Sequence, residues 1–216
     1  MIEEKVVIEQ KLLCKLYVII DPASSPSYSP LELAEMAVQG GADFIQLRDK
    51  KNKTRIFLET ASRISEICKN VKIPFIVNDR TDIALLSDAA GVHLGNEDLP
   101  IGEARKILGG KKIIGGTANS LEKALELEKQ GADYIGFGHI FPTQSKIKNT
   151  PPVGVEKLKE MVKLLHTPII AIGGIDQSNL EQVLTVAPYG IAVIHAVCGS
   201  ENPEKAARDL KEKLWL

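Results

Sequence analysis

Length, composition and charge limit what this chain can be before any motif is considered. Its 216 residues are 44% hydrophobic and 25% charged, which is typical of a globular protein and unlike a disordered chain. The 27 basic and 28 acidic residues give a net charge of −1, so we expect no nucleic-acid partner, which would usually need a basic excess. No apolar run approaches the ~20 residues that a membrane span needs.

The cysteines and the N-terminal segment indicate the compartment. Cys14, Cys68 and Cys198 are spaced too irregularly for a zinc site, and an odd number cannot form a complete set of disulfides. Residues 1–14 contain acidic side chains and no long apolar core, so we expect no signal peptide. We therefore expect a reduced, cytoplasmic protein.

Eight short apolar segments, rich in β-branched residues, are predicted as strands. In chain order they cover residues 15–20, 43–48, 74–78, 91–95, 111–116, 133–138, 167–174 and 190–195. Their nearly continuous apolar character is typical of parallel strands that are buried on both faces.

Amphipathic segments separate these strands and are predicted as helices. Ser29 followed by Pro30 is typical of a helix N-cap with proline at the first helical position. Residues 54–70 place apolar side chains at helical spacing, and Asn119 with Glu122 resembles a capping box. The other predicted helical segments are 31–41, 82–89, 101–108, 119–131, 154–165, 178–187 and 204–215.

Strict alternation of strands and helices implies a parallel sheet. Eight such units in this length predict a compact (β/α)8 barrel. The main competitor is an open doubly wound sheet, but its nucleotide-binding version is weakened because no G-x-G-x-x-G follows the first strand. We predict one barrel domain over residues 1–216, with 1–14 as an N-terminal extension.

In barrels of this kind the chemistry lies at the C-terminal ends of the strands. The second strand ends in Gln46, Arg48 and Lys50, which share one side of an extended chain. An amide and two cations suit an anion such as a phosphate. The alternative is a solvated charge cluster in which the cations pair with Asp49.

Polar residues also follow the third, fourth and fifth strands. Asp79 and Asp98 are two carboxylates that can share Mg²⁺ with the oxygens of a phosphorylated substrate. Each is alternatively a helix N-cap. Thr117 either offers its hydroxyl to the same site or only helps to start the next helix.

The last three strands end in loops that suit a second anion. Gly173 and Gly174 allow the backbone to approach a phosphate closely, as loops after strands 7 and 8 commonly do in barrels. The polar, basic segment 141–149 is either a connector or a lid that carries Lys146 over the mouth, and we expect a lid.

Other catalytic signatures are missing from the sequence. There is no G-x-S-x-G and no H-E-x-x-H, and the histidines show no metal-ligand spacing. His93 lies within a predicted strand, where it is alternatively an ordinary core residue. No protein nucleophile is therefore predicted.

Six motifs, in order along the chain, resemble those of the thiamine phosphate synthase family. They are QLRDK, NDRTDIAL, GVHLGNEDLP, GADYIGFGHIFPTQSK, IAIGGI and GIAVI, between about Lys15 and the C-terminal helix. The resemblance implies a (β/α)8 barrel that condenses hydroxymethylpyrimidine diphosphate with thiazole phosphate. The products are thiamine monophosphate and pyrophosphate, and the cofactor is Mg²⁺.

The same resemblance implies a role for each site residue. Gln46 contacts the pyrimidine, and Asp79 with Asp98 binds Mg²⁺. The residues implied for the diphosphate are Arg48, Lys50, Asn78, Thr117 and Lys146. Those implied for the thiazole phosphate are Thr143 and Ser145, together with the backbone at Gly174, Ile194 and His195. Arg48, Lys50 and Lys146 are the implied catalytic residues, because they stabilise the charge that develops on the leaving pyrophosphate.

Some positions depart from the family's usual pattern, namely Asn96, Asn119, His139 and His195. The segments GFGH and GIAV lean toward the sister family of thiazole tautomerases, which share the barrel. The alternatives are therefore a tautomerase or a non-catalytic protein that binds a thiamine precursor. The two aspartates with Lys146 favour the synthase, since a tautomerase has no diphosphate to expel. The oligomeric state stays open, a homo-oligomer included.

Overall fold

The centre of the molecule is a closed barrel of eight parallel strands. The computed structural model describes residues 15–25, 27–143 and 150–214, so the predicted extension lies outside the described residues. The strands β1 to β8 are Leu16–Ile20, Phe44–Leu47, Phe75–Asn78, Gly91–Leu94, Ile113–Ala118, Tyr134–Gly138, Ile169–Ile172 and Gly190–Val193. Each pairs with the next, and β8 pairs with β1. The predicted (β/α)8 barrel is confirmed, and the open sheet is excluded.

Helices follow the strands around the barrel. Within the described ranges, the helices α1 to α9 are, in chain order, Pro30–Gln39, Thr54–Asn70, Thr81–Leu86, Ile101–Leu108, Leu121–Lys129, Gly154–Leu164, Leu180–Leu184, His195–Cys198 and Pro203–Lys213. Helices α2 and α4 have the predicted bounds. None of the described helices is long and apolar enough to cross a membrane.

Two helix starts test the predicted caps. The hydroxyl of Ser29 accepts from the backbone N–H of Glu32, and the Glu32 carboxylate accepts from Ser29, which completes a capping box ahead of α1. The predicted cap at Asn119 is wrong, because the cap of α5 is Ser120, whose hydroxyl accepts from Lys123. Strand β5 continues to Ala118, so the chain needs one more residue before it turns into the helix.

The strands bury side chains on both faces, which explains their nearly continuous apolar sequences. In β1, Leu16, Val18 and Ile20 belong to the layer between the barrel and the helices, whereas Tyr17 and Ile19 belong to a cluster inside the barrel. Each large apolar side chain buried in this way stabilises the fold by about 1.5–3 kcal/mol. The interior is a packed core rather than a pore, so ligands approach from the C-terminal ends of the strands.

The end of β8 differs from the prediction. The strand was expected to include His195, but it ends at Val193 and His195 begins the short helix α8. The carbonyl of Ile194 accepts from the backbone N–H groups of Val197 and Cys198, and these hydrogen bonds turn the chain out of the sheet.

Candidate active site at the barrel mouth

A pocket at the C-terminal ends of the strands collects side chains from distant parts of the sequence. Of the predicted site residues, those that line it are Gln46, Arg48, Lys50, Asn78, Asp79, Thr117, Thr143 and Ile194. They come from β2, β3, β5 and the segments that follow β6 and β8. Parallel strands bring them together because all their C-terminal ends lie at the same end of the barrel.

The floor of the pocket combines an amide with apolar walls. Gln46 is 1% exposed, and its Nε2 donates to the hydroxyl of Tyr17 at 2.7 Å. Ile19, Ile172 and Ile194 line the same pocket. Apolar walls with one precisely held amide are suited to a flat heterocycle that presents polar atoms at its edge.

The two cations after β2 both form ion pairs with carboxylates at the mouth. Arg48 pairs with Asp21, and Lys50 pairs with Asp79. The alternative pairing with Asp49 is wrong, because the Asp49 carboxylate accepts from the backbone of the residues that follow it. Both cations line the pocket, where an anionic ligand can compete with Asp21 and Asp79 for them.

Asp21 is a site residue that the sequence analysis missed. It is 3% exposed, and its other carboxylate oxygen accepts from the backbone N–H of Ala23 at 3.0 Å. An acidic residue directly after a buried strand is the signal that could have found it. Its role here is to hold the Arg48 guanidinium at the edge of the pocket.

Asp79 and Asp98 form a contacting pair of carboxylates. Burial, followed by the neighbouring Asp79, raises the pKa of Asp98. Burial also tends to raise the pKa of Asp79, but hydrogen bonds with Asp98 and Lys50 outweigh it and the pKa of Asp79 is lowered. Two contacting carboxylates, one with a raised pKa, mark a place where a cation can bind.

Neither aspartate caps a helix, so that alternative is wrong for both. The N-cap positions of α3 and α4 are Arg80 and Pro100. Asp79 instead adopts a left-handed backbone with φ 63°, which is costly for a residue other than glycine and is concentrated at functional sites. Asp98 Oδ2 accepts from the backbone N–H of Gly95 at 2.6 Å. Asp98 itself lines a neighbouring pocket rather than the one at the mouth, and Gly95 lines both.

Thr117 lies within β5, and the alternative that it only starts the next helix is wrong. Its hydroxyl lies 2.8 Å from Nε2 of His93, whose Nδ1 lies 3.0 Å from the hydroxyl of Tyr134. His93 is thus more than an ordinary core residue, because it lines the pocket and contacts a predicted site residue. The only sequence signal for this role was a histidine inside an otherwise apolar strand.

A second pocket adjoins the first one on the side of β7 and β8. It is lined by Thr143, Gly174, Ile194 and His195, all of which were predicted for an anion. Gly174 has φ 68°, and a Cβ there would lie 2.3 Å from the carbonyl oxygen of Pro142. At Gly174 the wall is therefore backbone, whereas Asp176 lines the same pocket with a carboxylate residue. Thr143 lines both pockets.

The remaining predictions fall outside the part of the chain that the structure describes. Ser145 and Lys146 belong to residues 144–149, so neither their positions nor the predicted lid is described. The flanking residues are held by His139, whose ring nitrogens lie 3.0 Å from the carbonyl of Phe141 and 3.1 Å from that of Thr150.

Comparisons with known proteins identify the family of the chain. The family model described as thiamine monophosphate synthase matches residues 16–197. The thiamine-phosphate synthase of Chlorobium limicola is 48% identical over 85% of this chain and 88% of its own length. That of Shouchella clausii is 43% identical over 91% of this chain and 94% of its own length.

Solved structures give the same result. The thiamine phosphate pyrophosphorylase from Pyrococcus furiosus superposes with a TM-score of 0.88 at 40% identity, covering 95% of this chain and 98% of that one. A 3-hexulose-6-phosphate synthase, at 19% identity, covers 92% of this chain and 98% of its own with a TM-score of 0.65, and shares only the fold. This chain belongs to the thiamine monophosphate synthase family.

Proposed function

We propose that this transferase joins hydroxymethylpyrimidine diphosphate to thiazole phosphate, with Mg²⁺, to give thiamine monophosphate and pyrophosphate. The observation that carries the proposal is the arrangement of the mouth. An apolar pocket that contains the Gln46 amide is lined by Arg48, Lys50 and Asp79, and Asp79 contacts Asp98. A second pocket, with glycine backbone in its wall, adjoins the first. The apolar pocket suits a heterocycle, the charged residues beside it suit its diphosphate, and the second pocket suits another phosphorylated substrate.

The chemistry of Asp79 and Asp98 fits a magnesium ion. Two facing carboxylates with perturbed pKa values are the protein ligands that Mg²⁺ usually takes, the rest being water and substrate phosphate oxygens. No cluster of three or more His, Cys, Asp or Glu side chains suited to a metal occurs in the described ranges, which agrees with a site that needs substrate oxygens. When bound, the ion would supply positive charge to the leaving diphosphate.

The cations stabilise the departure of the leaving group. As the bond between the pyrimidine methylene carbon and the diphosphate oxygen breaks, the electron pair leaves with oxygen and negative charge grows on pyrophosphate. Arg48 and Lys50 lie at the pocket edge, where this charge can replace Asp21 and Asp79 as their partner. We assign Asn78, Thr117 and Lys146 to the same group as hydrogen-bond or charge donors.

The second pocket positions the nucleophile. We assign the thiazole phosphate to the backbone at Gly174, Ile194 and His195, with the hydroxyls of Thr143 and Ser145. Held there, the thiazole nitrogen attacks the methylene carbon after the pyrophosphate has left in a dissociative substitution, so one C–N bond replaces the C–O bond that broke. Gln46 holds the pyrimidine, and the apolar walls exclude water that would otherwise capture the electrophilic carbon. No protein nucleophile takes part.

We also infer that the protein works in a reducing compartment, the cytoplasm. Cys68 and Cys198 are free and buried, and burial raises the pKa of each thiol to about 12, so both are inert thiols rather than metal ligands.

The full chain with both precursors and Mg²⁺ tests the proposal. We expect pyrophosphate and thiamine monophosphate to appear in equal amounts, measured by a coupled phosphate assay and by chromatography. Omitting thiazole phosphate, or adding a chelator, should stop both. Absence of product at saturating substrates would overturn the synthase function, and isomerisation of a thiazole carboxylate by the same sample would favour the tautomerase.

A further inference from the structure

A chain of hydrogen bonds crosses the barrel interior, and its middle members have no role in the function proposed above. Gln46 Nε2 lies 2.7 Å from the hydroxyl of Tyr17, which lies 3.0 Å from the hydroxyl of Tyr134. That hydroxyl lies 3.0 Å from His93 Nδ1, and His93 Nε2 lies 2.8 Å from the hydroxyl of Thr117. The chain connects the proposed pyrimidine contact to a proposed diphosphate contact.

The neighbouring strands leave room for these polar rings. A Cβ on Gly115 would lie 2.1 Å from the ring of Tyr134, and one on Gly136 would lie 3.1 Å from the ring of His93. The rings of His93 and Tyr134 stack with their centroids 5.5 Å apart, and Tyr17 and Tyr134 are at most 2% exposed. The chain is therefore built into the packed core and does not depend on loose surface contacts.

With the His93 imidazole neutral, the chemistry of the links allows two directions. A hydroxyl has one hydrogen to donate, and a neutral imidazole has one donor and one acceptor nitrogen. In the forward direction Gln46 donates to Tyr17, and the order continues until His93 donates to Thr117. In the reverse direction Thr117 donates to His93, and the order continues until Tyr17 donates to Gln46. A run of bonds in one direction is also mutually reinforcing.

The two directions present different groups to a ligand. In the forward direction the amide oxygen of Gln46 and the hydrogen of the Thr117 hydroxyl remain for the ligand. In the reverse direction the NH₂ group of Gln46 is presented, and the Thr117 hydrogen is used inside the protein. A diphosphate oxygen can only accept hydrogen bonds, so it requires the forward direction.

We propose that Tyr17, Tyr134 and His93 are positioning residues that turn the Gln46 amide oxygen toward the pocket when a diphosphate accepts from Thr117. The inference rests on the proposed function, because it takes the pyrimidine at Gln46 and the diphosphate at Thr117. The amide oxygen accepts from an amino group on the pyrimidine ring. An oxo analogue would place a carbonyl oxygen against the amide oxygen of Gln46, and the two would repel. The hydrogen-bonded chain from Gln46 to Thr117, called the relay below, therefore makes the site select amino over oxo pyrimidines.

Binding of two inert ligands tests the relay. They are the amino pyrimidine and its oxo analogue, each with a methylene-bridged diphosphonate that cannot leave, titrated calorimetrically with Mg²⁺ present. We expect Tyr134→Phe, which interrupts the chain and keeps the ring, to reduce the preference for the amino ligand by about tenfold or more, since a site built around one hydrogen bond discriminates strongly. Ile170→Val, an interior change outside the chain and the pocket, should leave the preference unchanged.

The outcomes separate the relay from the function on which it rests. If the role of Tyr134 were merely structural, Tyr134→Phe would weaken the binding of both ligands by the same factor. An unchanged preference for the amino ligand in the folded variant therefore overturns the relay. If that variant does not fold, Tyr17→Phe carries the same test beside Gln46. Wild-type protein that binds neither ligand would overturn the proposed function itself, whereas a wild-type preference that both variants lose supports the relay.

Discussion

The two sides of the barrel mouth present different chemical groups. The side formed by β2 to β5 presents side chains, among them Arg48, Lys50 and Asp79. On the side formed by β7 and β8 part of the wall is glycine backbone, because Gly174 lies where a side chain would not fit. The difference teaches how each side can be inactivated. Truncating a side chain should impair the first side, whereas adding a side chain to a glycine should impair the second.

The largest expected effect comes from removing a carboxylate on the side-chain side. In Asp98→Ala, Asp79 is left alone with Lys50, so turnover should fall by about 10²–10³-fold, the usual cost of losing one electrostatic stabiliser. A titration of turnover against Mg²⁺ checks this and should show a weakened metal requirement. Glu103→Gln, at an exposed ion pair with Lys106, is the control. Near-normal Mg²⁺-dependent turnover would remove Asp98 from the metal site.

The next effect comes from adding a methyl group on the backbone side. Gly174→Ala forces a left-handed backbone on alanine and places its Cβ against Pro142. We expect KM for thiazole phosphate to rise by about tenfold or more, because the added Cβ displaces backbone that we assign to the phosphate, and losing ~1.4 kcal/mol of binding is tenfold. Binding of the pyrimidine diphosphonate should change little. Gly102→Ala, with open space around the added Cβ, is the matched control.

Equal weakening of both substrates by Gly174→Ala would contradict the division of the mouth. It would mean that the substitution disturbs the whole site. Measuring KM for each substrate separately, with the thermal midpoint of unfolding, distinguishes this outcome from a local effect on the thiazole phosphate.

A smaller effect concerns stability without metal. Burial and Asp79 raise the pKa of Asp98, so the folded state gains stability as pH falls through that raised pKa and loses it as pH rises. Asp98→Asn removes this penalty, and at neutral pH in chelator it should raise the melting temperature by roughly 1–2 °C, the scale of a solvent-screened charge pair. The gain should shrink toward acidic pH. A scan of melting temperature against pH checks this. No gain at neutral pH would contradict the claim that burial and Asp79 raise the pKa of Asp98.

The smallest effect is expected at Asp49, although it adjoins the cations in sequence. Its carboxylate accepts from the backbone of Lys51 and Asn52 and forms no described ion pair with Arg48 or Lys50. Asp49→Ala should leave turnover within about twofold and lower the free energy of unfolding by roughly 0.5–1.5 kcal/mol, because the hydrogen bonds that it loses are exposed to solvent. A large loss of turnover would show that the cations depend on Asp49.

Much of the site could be predicted because strand ends are regular. Once eight apolar segments alternate with helices, the residues that follow each segment must meet at one end of the barrel. Arg48, Asp79 and Thr117 were found in this way, and all three line the same pocket. The family resemblance then supplied what the strand positions alone could not, namely an expected role for each residue.

The missed residues depend on partners that are distant in sequence. Asp21 has a role at the mouth because Arg48 meets it, and His93 has one because Thr117 and Tyr134 flank it. His195 left the predicted strand because local hydrogen bonds to Ile194 start a helix there. The contacts of Asp21 and His93 join residues far apart in the sequence, so no local pattern could reveal them. The turn at His195 is local instead, with hydrogen bonds that span three and four residues.

The sequence by itself determined the barrel and the order of polar groups around its mouth, because the period of apolar residues sets which side chains face inward and which strand ends are adjacent. Only the tertiary structure decided which groups touch. The pairing of Arg48 with Asp21, the contact between Asp79 and Asp98, and the chain from Gln46 to Thr117 each join different strands. Such contacts depend on the closure of the barrel and on the register between strands, which local sequence does not specify.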